Sequence, residues 1–357
     1  MDWGRDSGAV RTFEDGLGVR RTETDARDGS LVEVLEVSPV LAQHDAFEAA
    51  LRARAARFAE VAIEGLASVR RIERAGRTLR VIADHVEGLR LPDLLHEAVK
   101  GNIPLPQPAA LELAGQIVRI VAALHQLPGL SHGTITPSHV VITRAGKVVL
   151  TDAIFGPALE GLQRNREQLW REFRVAMPGS ANLPRFDQRA DVAQLGATVL
   201  AVALGRSLRQ EEYPRAIGEV VIAATLAARP GETGTSTSAL RMWLQQALHL
   251  HPRASFASAV DAEQAFVEVL GPATARRGGA AAFQHSVRRI FGDTSASDHA
   301  AKVATAWSTP AAVHPRAVPA PPAGEPVRPS VDPAPGAAER PLGSVFRAVL
   351  PNLRTTN

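Results

Sequence analysis

The sequence contains no cysteine, which excludes disulfides, thiolate metal sites and cysteine nucleophiles. Lysine is nearly absent too. Of 40 basic side chains only Lys100, Lys147 and Lys302 are lysines, and none precedes residue 100. A lysine ammonium in the first part of the chain is therefore ruled out. No apolar stretch approaches the roughly 18 residues of a membrane-spanning helix, so no membrane span is expected. The acidic start Met1-Asp2-Trp3-Gly4-Arg5-Asp6 lacks the basic and then apolar order of a signal peptide. A cytoplasmic location is the expectation. There is also no block of one charge: the formal net charge is +3. Arg52, Arg54 and Arg57 read as the solvated face of a helix, and nucleic acid is not an expected partner.

Against these absences stand 45% apolar residues in 357, enough for a substantial core. Leu113, Ile117, Ile120, Leu124 and Leu127 recur at alternating four- and three-residue steps, which predicts an amphipathic helix over Ala109 to Leu127. Val140-Val141-Ile142, a turn at Arg144 to Lys147 and Val148-Val149-Leu150 predict a hairpin. Phe283, Val287, Ile290 and Phe291 fall at helical spacing and predict a short helix, with Trp307 as a further anchor. Residues 308 to 341 then hold ten prolines among alanines, the composition of an extended, disordered spacer. The last apolar cluster, Gly343 to Leu353, reads as a docking peptide or a frayed tail.

One stretch is more specific. Residues 131 to 156 read Ser-His-Gly-Thr-Ile-Thr-Pro-Ser-His-Val-Val-Ile-Thr-Arg-Ala-Gly-Lys-Val-Val-Leu-Thr-Asp-Ala-Ile-Phe-Gly. This frame resembles the catalytic loop of bacterial serine/threonine protein kinases, His-Gly-Asp-Ile-Lys-Pro-Ser-Asn, followed by a hairpin and Leu-Thr-Asp-Phe-Gly. In that register Thr134 replaces the catalytic aspartate, Thr136 the phosphate-contacting lysine and His139 the metal-binding asparagine. Asp152 keeps the second metal-binding carboxylate, but Ala153-Ile154 follow it. Phosphoryl transfer depends on positioning and charge stabilisation. A positioned general base contributes about 10² to 10⁴ in rate, and Thr134 offers no carboxylate for it. Magnesium prefers oxygen to the imidazole of His139. These groups act as a unit, so their losses do not simply multiply.

The resemblance extends over about residues 12 to 270. Ser30 to Val37 is similar to the family's third strand, with Leu35 at its lysine position. A helix from about Phe47 to Leu66 places Ala50 at the usual glutamate, with Glu48 and Glu60 as fallbacks. Arg20 and Arg21, on the preceding strand, read as solvated, with phosphate contact as the alternative. Asp15-Gly16-Leu17-Gly18 offers two glycines of a nucleotide loop and no third, a weak signal. Leu79 to Gly88 resembles the strand and hinge that contact adenine, with Asp84 and Val86 at the hinge. Glu33, Glu36 and Asp84 are spare carboxylates, read first as structural or surface groups. Scaffold features resemble the family more fully: Asp187 to Leu200 is similar to its buried helix, in which Asp191 would accept hydrogen bonds from the catalytic-loop backbone, and His132 would pack in the loop core. Trp243 to Phe256 matches its closing Leu, Pro and Phe pattern, with Ser255 in place of the arginine. The glutamate that arginine pairs with is also missing, at Ala181-Asn182-Leu183-Pro184. Losing both avoids one stranded buried charge.

The resemblance implies an α+β, two-lobed kinase-like fold: a small β-rich lobe over residues 1–90 with a hinge near 84–90, and a larger helical lobe over 91–272. A helical extension at 273–307, the linker at 308–341 and the terminal segment 342–357 follow. The function it implies is a pseudokinase, a regulatory or scaffolding module of bacterial signalling that binds another protein, a kinase or a substrate. The alternative is a divergent active kinase or an ATP-binding switch with Asp152 as metal ligand. Gly16, Gly18, Leu35, Asp84 and Val86 would then border the nucleotide, and ATP with magnesium would be the cofactors.

Overall fold

A computed structural model of the chain describes residues 12–103, 105–179, 182–226 and 234–293. The linker, the terminal segment, Trp307 and Ala181 lie outside them.

Five antiparallel strands form the small lobe: β1 (Thr12–Asp15), β2 (Gly18–Thr24), β3 (Leu31–Val37), β4 (Val69–Ala75) and β5 (Thr78–Asp84), in the order β1-β2-β3-β5-β4. Between β3 and β4 lie the short helix α1 (Pro39–Ala42) and α2 (Asp45–Phe58). Phe47 and Leu51 of α2 are buried and join Leu35, Val37, Leu79 and Val81 in one cluster. The helix predicted to reach Leu66 ends at Phe58. The chain must leave it there because Leu150 N–H donates to Gly65 O at 2.7 Å and Ala67 N–H to Leu150 O at 2.8 Å, a backbone tie to the other lobe.

The large lobe begins with β6 (Leu89–Arg90), α3 (Leu91–Lys100) and α4 (Gln107–His125). The apolar stripe of α4 is buried through Leu113, Ile117, Ile120 and Leu124. Strands β7 (Val140–Ile142) and β8 (Val148–Leu150) form the hairpin, and β6 pairs with β7. Next come α5 (Gly156–Glu160), α6 (Arg166–Phe173), α7 (Gln188–Leu204), α8 (Ile217–Leu226), α9 (Gly234–Ala247), α10 (Ala259–Leu270) and α11 (Ala273–Asp293). Helix α7 is buried along nearly its whole length. Its Asp187 side chain accepts from Arg189 and Ala190 N–H, and Gly205, at φ 68°, closes it, the usual polar start and left-handed stop.

Instead of a short helix after residue 273, α11 runs 21 residues along α4. Phe283, Val287 and Ile290 are at most 1% exposed, and each such burial contributes about 1.5–3 kcal/mol. Among the described residues, no helix is long and apolar enough to cross a membrane.

The segment after β8 decides the character of the cleft. Ile154, Phe155, Leu159, Leu169 and Phe173 pack in the same cluster as the small-lobe residues Leu17, Leu35 and Phe47. The region that links the lobes is therefore a core, with α5 against α2.

Candidate functional site

The catalytic-loop frame is held from below by α7. Asp191, fully buried, accepts from His132 N–H at 2.5 Å and Gly133 N–H at 2.7 Å, and lies 2.9 Å from His125 Nε2. His125 Nδ1 accepts from Ala259 N–H at 2.9 Å, which fits the tautomer protonated on Nε2. Gln194 Oε1 accepts from Ile135 N–H at 2.8 Å. These bonds satisfy loop amides that burial would otherwise leave unpaired. His132 is fully buried, and burial lowers its pKa to about 4.

A second support comes from α2. Arg54, read from sequence as solvated, is 5% exposed; its guanidinium donates to Ser131 O and lies 4.7 Å from the centre of the Phe58 ring. The sequence carried a signal for this, since Phe47, Leu51, Arg54 and Phe58 form one stripe at steps of four, three and four. Arg57 donates to Gly129 O at 3.1 Å from an exposed position. Glu48 pairs with Arg52 and Arg74 on the small lobe and not with a cleft residue, and Ala50 packs against the apolar cluster that includes Leu35.

In the cleft itself, Thr134 is buried and donates its hydroxyl to Asp152 O at 2.7 Å. Thr136 is 2% exposed. Asp152 stands in the left-handed region, φ 68°, and accepts the Thr151 hydroxyl at 2.7 Å. His139 Nε2 lies 3.8 Å from Asp152 and 3.1 Å from Asp15, while its Nδ1 faces Thr134 O at 2.7 Å. Both ring nitrogens therefore face acceptors.

The centre of this group is Arg20, which the sequence reading placed in solvent. Its side chain is 1% exposed, and Nη1 lies 2.7 Å from Asp15, Nη2 3.2 Å from Asp152 and Nε 3.6 Å from Glu33. Burial opposes the charge, but Asp15, Asp152 and Glu33 outweigh it and push the guanidinium pKa above its ordinary value. Burial likewise raises Asp15, yet Arg20 and then His139 hold it at about 2. Asp152 is held well below the carboxylate range, its burial outweighed by Arg20 and His139. Glu33, read as structural, reaches the cleft, where its other oxygen lies 2.6 Å from Arg90. Arg21 and Glu36 pair at the surface, and Asp84 is held by Arg70 at 2.6 Å.

The loop between β1 and β2 completes the closure. Leu17 is 2% exposed, and its N–H donates to the Asp15 side chain at 2.9 Å. A Cβ on Gly16 would lie 1.9 Å from Glu172 O, the carbonyl of the last turn of α6. Gly18, at φ 146°, brings the strand equally close to Glu36 O. Both glycines thus serve close backbone packing. Leu35 is buried in the same cluster, and Val86 follows β5 in the connection to β6. Between Glu33, Leu35, Val69, Val81, Ala83 and Asp152 the remaining space is about 10 Å³, room for roughly one water.

This set does not fit a magnesium-bound triphosphate. Asp152 is already neutralised by a guanidinium, the opposite position offers an imidazole, and the phosphate-loop position is packed on α6. Among the described residues, no cluster of three or more His, Asp or Glu is arranged to hold a metal ion.

Neither a protein-family model nor a curated protein matches the sequence. Solved structures do. The kinase domain of Mycobacterium tuberculosis PknI aligns with a TM-score of 0.52 at 19% identity, covering 74% of this chain and 95% of that one. Another structure of that domain gives 0.52 at 20% identity, covering 73% and 95%, and a point mutant of it 0.53 at 20%, again covering 73% and 95%. At this identity the likeness is one of fold, and the sheet lobe and helical lobe described above make a protein-kinase-like fold.

Proposed function

We propose that this protein is a catalytically impaired kinase-like protein, a pseudokinase that acts as a regulatory or scaffolding module by binding another protein. The observation that carries this reading is the Arg20 to Asp152 ion pair at 3.2 Å: the one carboxylate retained from the metal site is engaged by the protein's own cation. Thr134 and Leu35 add to it, since neither can do the work of the carboxylate or ammonium it replaces. Fold alone assigns no activity, so the reading rests on these side chains. From 153 to 187 the only hydroxyl side chain is Ser180, outside the described residues. That leaves little for switching this segment by phosphorylation, and a constitutive binding surface accords with it.

One observation favours the second reading, a divergent kinase or ATP-binding switch using Asp152. Arg20 pairs directly across the sheet with Leu35, so a cation stands one strand away from the missing lysine. A transfer assay with labelled ATP, magnesium or manganese, the protein itself and a generic serine/threonine substrate separates the two. Phosphorylated product no greater than in a denatured control supports the pseudokinase. Product abolished by Asp152→Ala supports the kinase.

A further inference from the structure

We propose that Arg20 is the resident cation of this cleft: its guanidinium takes the place of a divalent metal among Asp15, Glu33 and Asp152 and latches the two lobes together without a nucleotide. This rests on the reading of the site as catalytically impaired, and it adds how the closed state is held.

Three carboxylates converge on this one side chain from three parts of the fold. Asp15 ends β1, Glu33 lies on β3 and Asp152 follows β8. Brought together without a cation, they would repel one another in a site only 9–23% exposed at their side chains. Hard divalent cations are held by oxygen ligands of this kind; among the described residues the three carboxylates form no metal cluster around the guanidinium, so a metal site would open only where Arg20 is removed. Arg20 supplies the positive charge from the directly paired position opposite Leu35, so the cation missing from β3 reappears on β2.

The pairing continues across the lobes. Glu33 also binds Arg90 of β6 at 2.6 Å, and Arg90 donates to Ser138 O in the catalytic loop at 2.5 Å. The Phe13 ring lies 5.6 Å from the Arg20 guanidinium and 4.5 Å from that of Arg90, within the range of cation–π attraction. From β1 to the catalytic loop the chain of contacts is continuous, and Leu17 is buried in the same apolar cluster as Phe155 and Phe173. A metal–nucleotide pair would have to displace both the guanidinium and the loop.

The test uses manganese alone on the full chain, read as the thermal midpoint with MnCl2 against chelator. Wild type is expected to show no shift. Arg20→Ala is expected to melt lower in chelator and to gain a saturable rise with manganese, because a ligand that binds only the folded state stabilises it by mass action. Adding Asp152→Asn should abolish that rise. A manganese shift in wild type, an Arg20→Ala protein as stable as wild type, or a folded Arg20→Ala protein without a manganese response overturns the proposal. If Arg20→Ala does not fold, Arg20→Lys decides: the latch requires it to be silent to manganese, and a response overturns the latch. Manganese binding by wild type without phosphoryl transfer would remove the latch and leave the pseudokinase reading intact. Transfer by wild type would remove that reading itself.

Discussion

Removing the charge of Arg20 while keeping most of its stem, as in Arg20→Gln, should destabilise the fold more than any substitution of its partners. The structure sets the asymmetry. Arg20 is a buried cation with three carboxylate partners at 2.7, 3.2 and 3.6 Å, so its loss leaves Asp15 and Asp152, 17% and 9% exposed, without their guanidinium partner. Breaking a buried pair by removing one partner costs about 3–5 kcal/mol. Asp152→Asn leaves Arg20 with Asp15 and Glu33 and keeps an acceptor for the Thr151 hydroxyl, so about 1–2 kcal/mol is expected. Because the two residues touch, the double variant should fall short of the sum by about 1–3 kcal/mol. Urea denaturation followed by far-UV circular dichroism measures all three. With a slope near 3 kcal/mol/M, Arg20→Gln moves the midpoint down by roughly 1–1.7 M. A cost within about 0.5 kcal/mol, the range of ordinary surface substitutions, or strict additivity with Asp152→Asn, would refute the network.

Three further outcomes follow from single residues. Gly16→Ala should destabilise by about 1–3 kcal/mol, the range for overpacking, because its Cβ would meet Glu172 O at 1.9 Å; a neutral effect in urea would mean that the loop does not rest on α6. The unfolded chain binds a proton at His132 near pH 6.5 but the folded chain only near 4, so stability rises with pH across that window and falls as pH drops through it. Up to about 3 kcal/mol is at stake by pH 4, and His132→Asn should flatten the pH profile of urea stability between 6.5 and 4; an unchanged slope would refute the assignment. Asp191→Asn should cost about 2–4 kcal/mol, since two loop amides and His125 depend on its carboxylate; thermal denaturation at wild-type temperature would contradict that role.

How much of this could be read from the sequence depended on whether the cause was local. The α4 stripe and the β7–β8 hairpin rest on periodicity over a few residues, and the structure has them near the stated positions. Arg20 was misread because its partners lie 5, 13 and 132 residues away, and an arginine followed by Arg21, Thr22 and Glu23 on a strand looks solvated. Two clues were present: Arg20 shares its strand face with Gly18, and the facing strand lacks the cation expected there. Arg54 was misread for a different reason. Three arginines at near-adjacent positions suggested a charged face, whereas the four-and-three stepping through Phe47, Leu51 and Phe58 put one of them on the buried side. The end of α2 was invisible to pattern altogether, because it is set by the pairing of Gly65 and Ala67 with Leu150.

The central claim is that this kinase-like cleft is filled from within, by Arg20 and the Asp15 to Gly18 turn. Its most direct test is the thermal midpoint of the wild-type protein with millimolar ATP in the presence of magnesium, manganese or chelator. A ligand at about 100 times its dissociation constant stabilises the folded state by about 2.7 kcal/mol, which such a scan resolves. The same midpoint is expected in every condition. A metal-dependent rise with ATP that disappears in Asp152→Ala would contradict it.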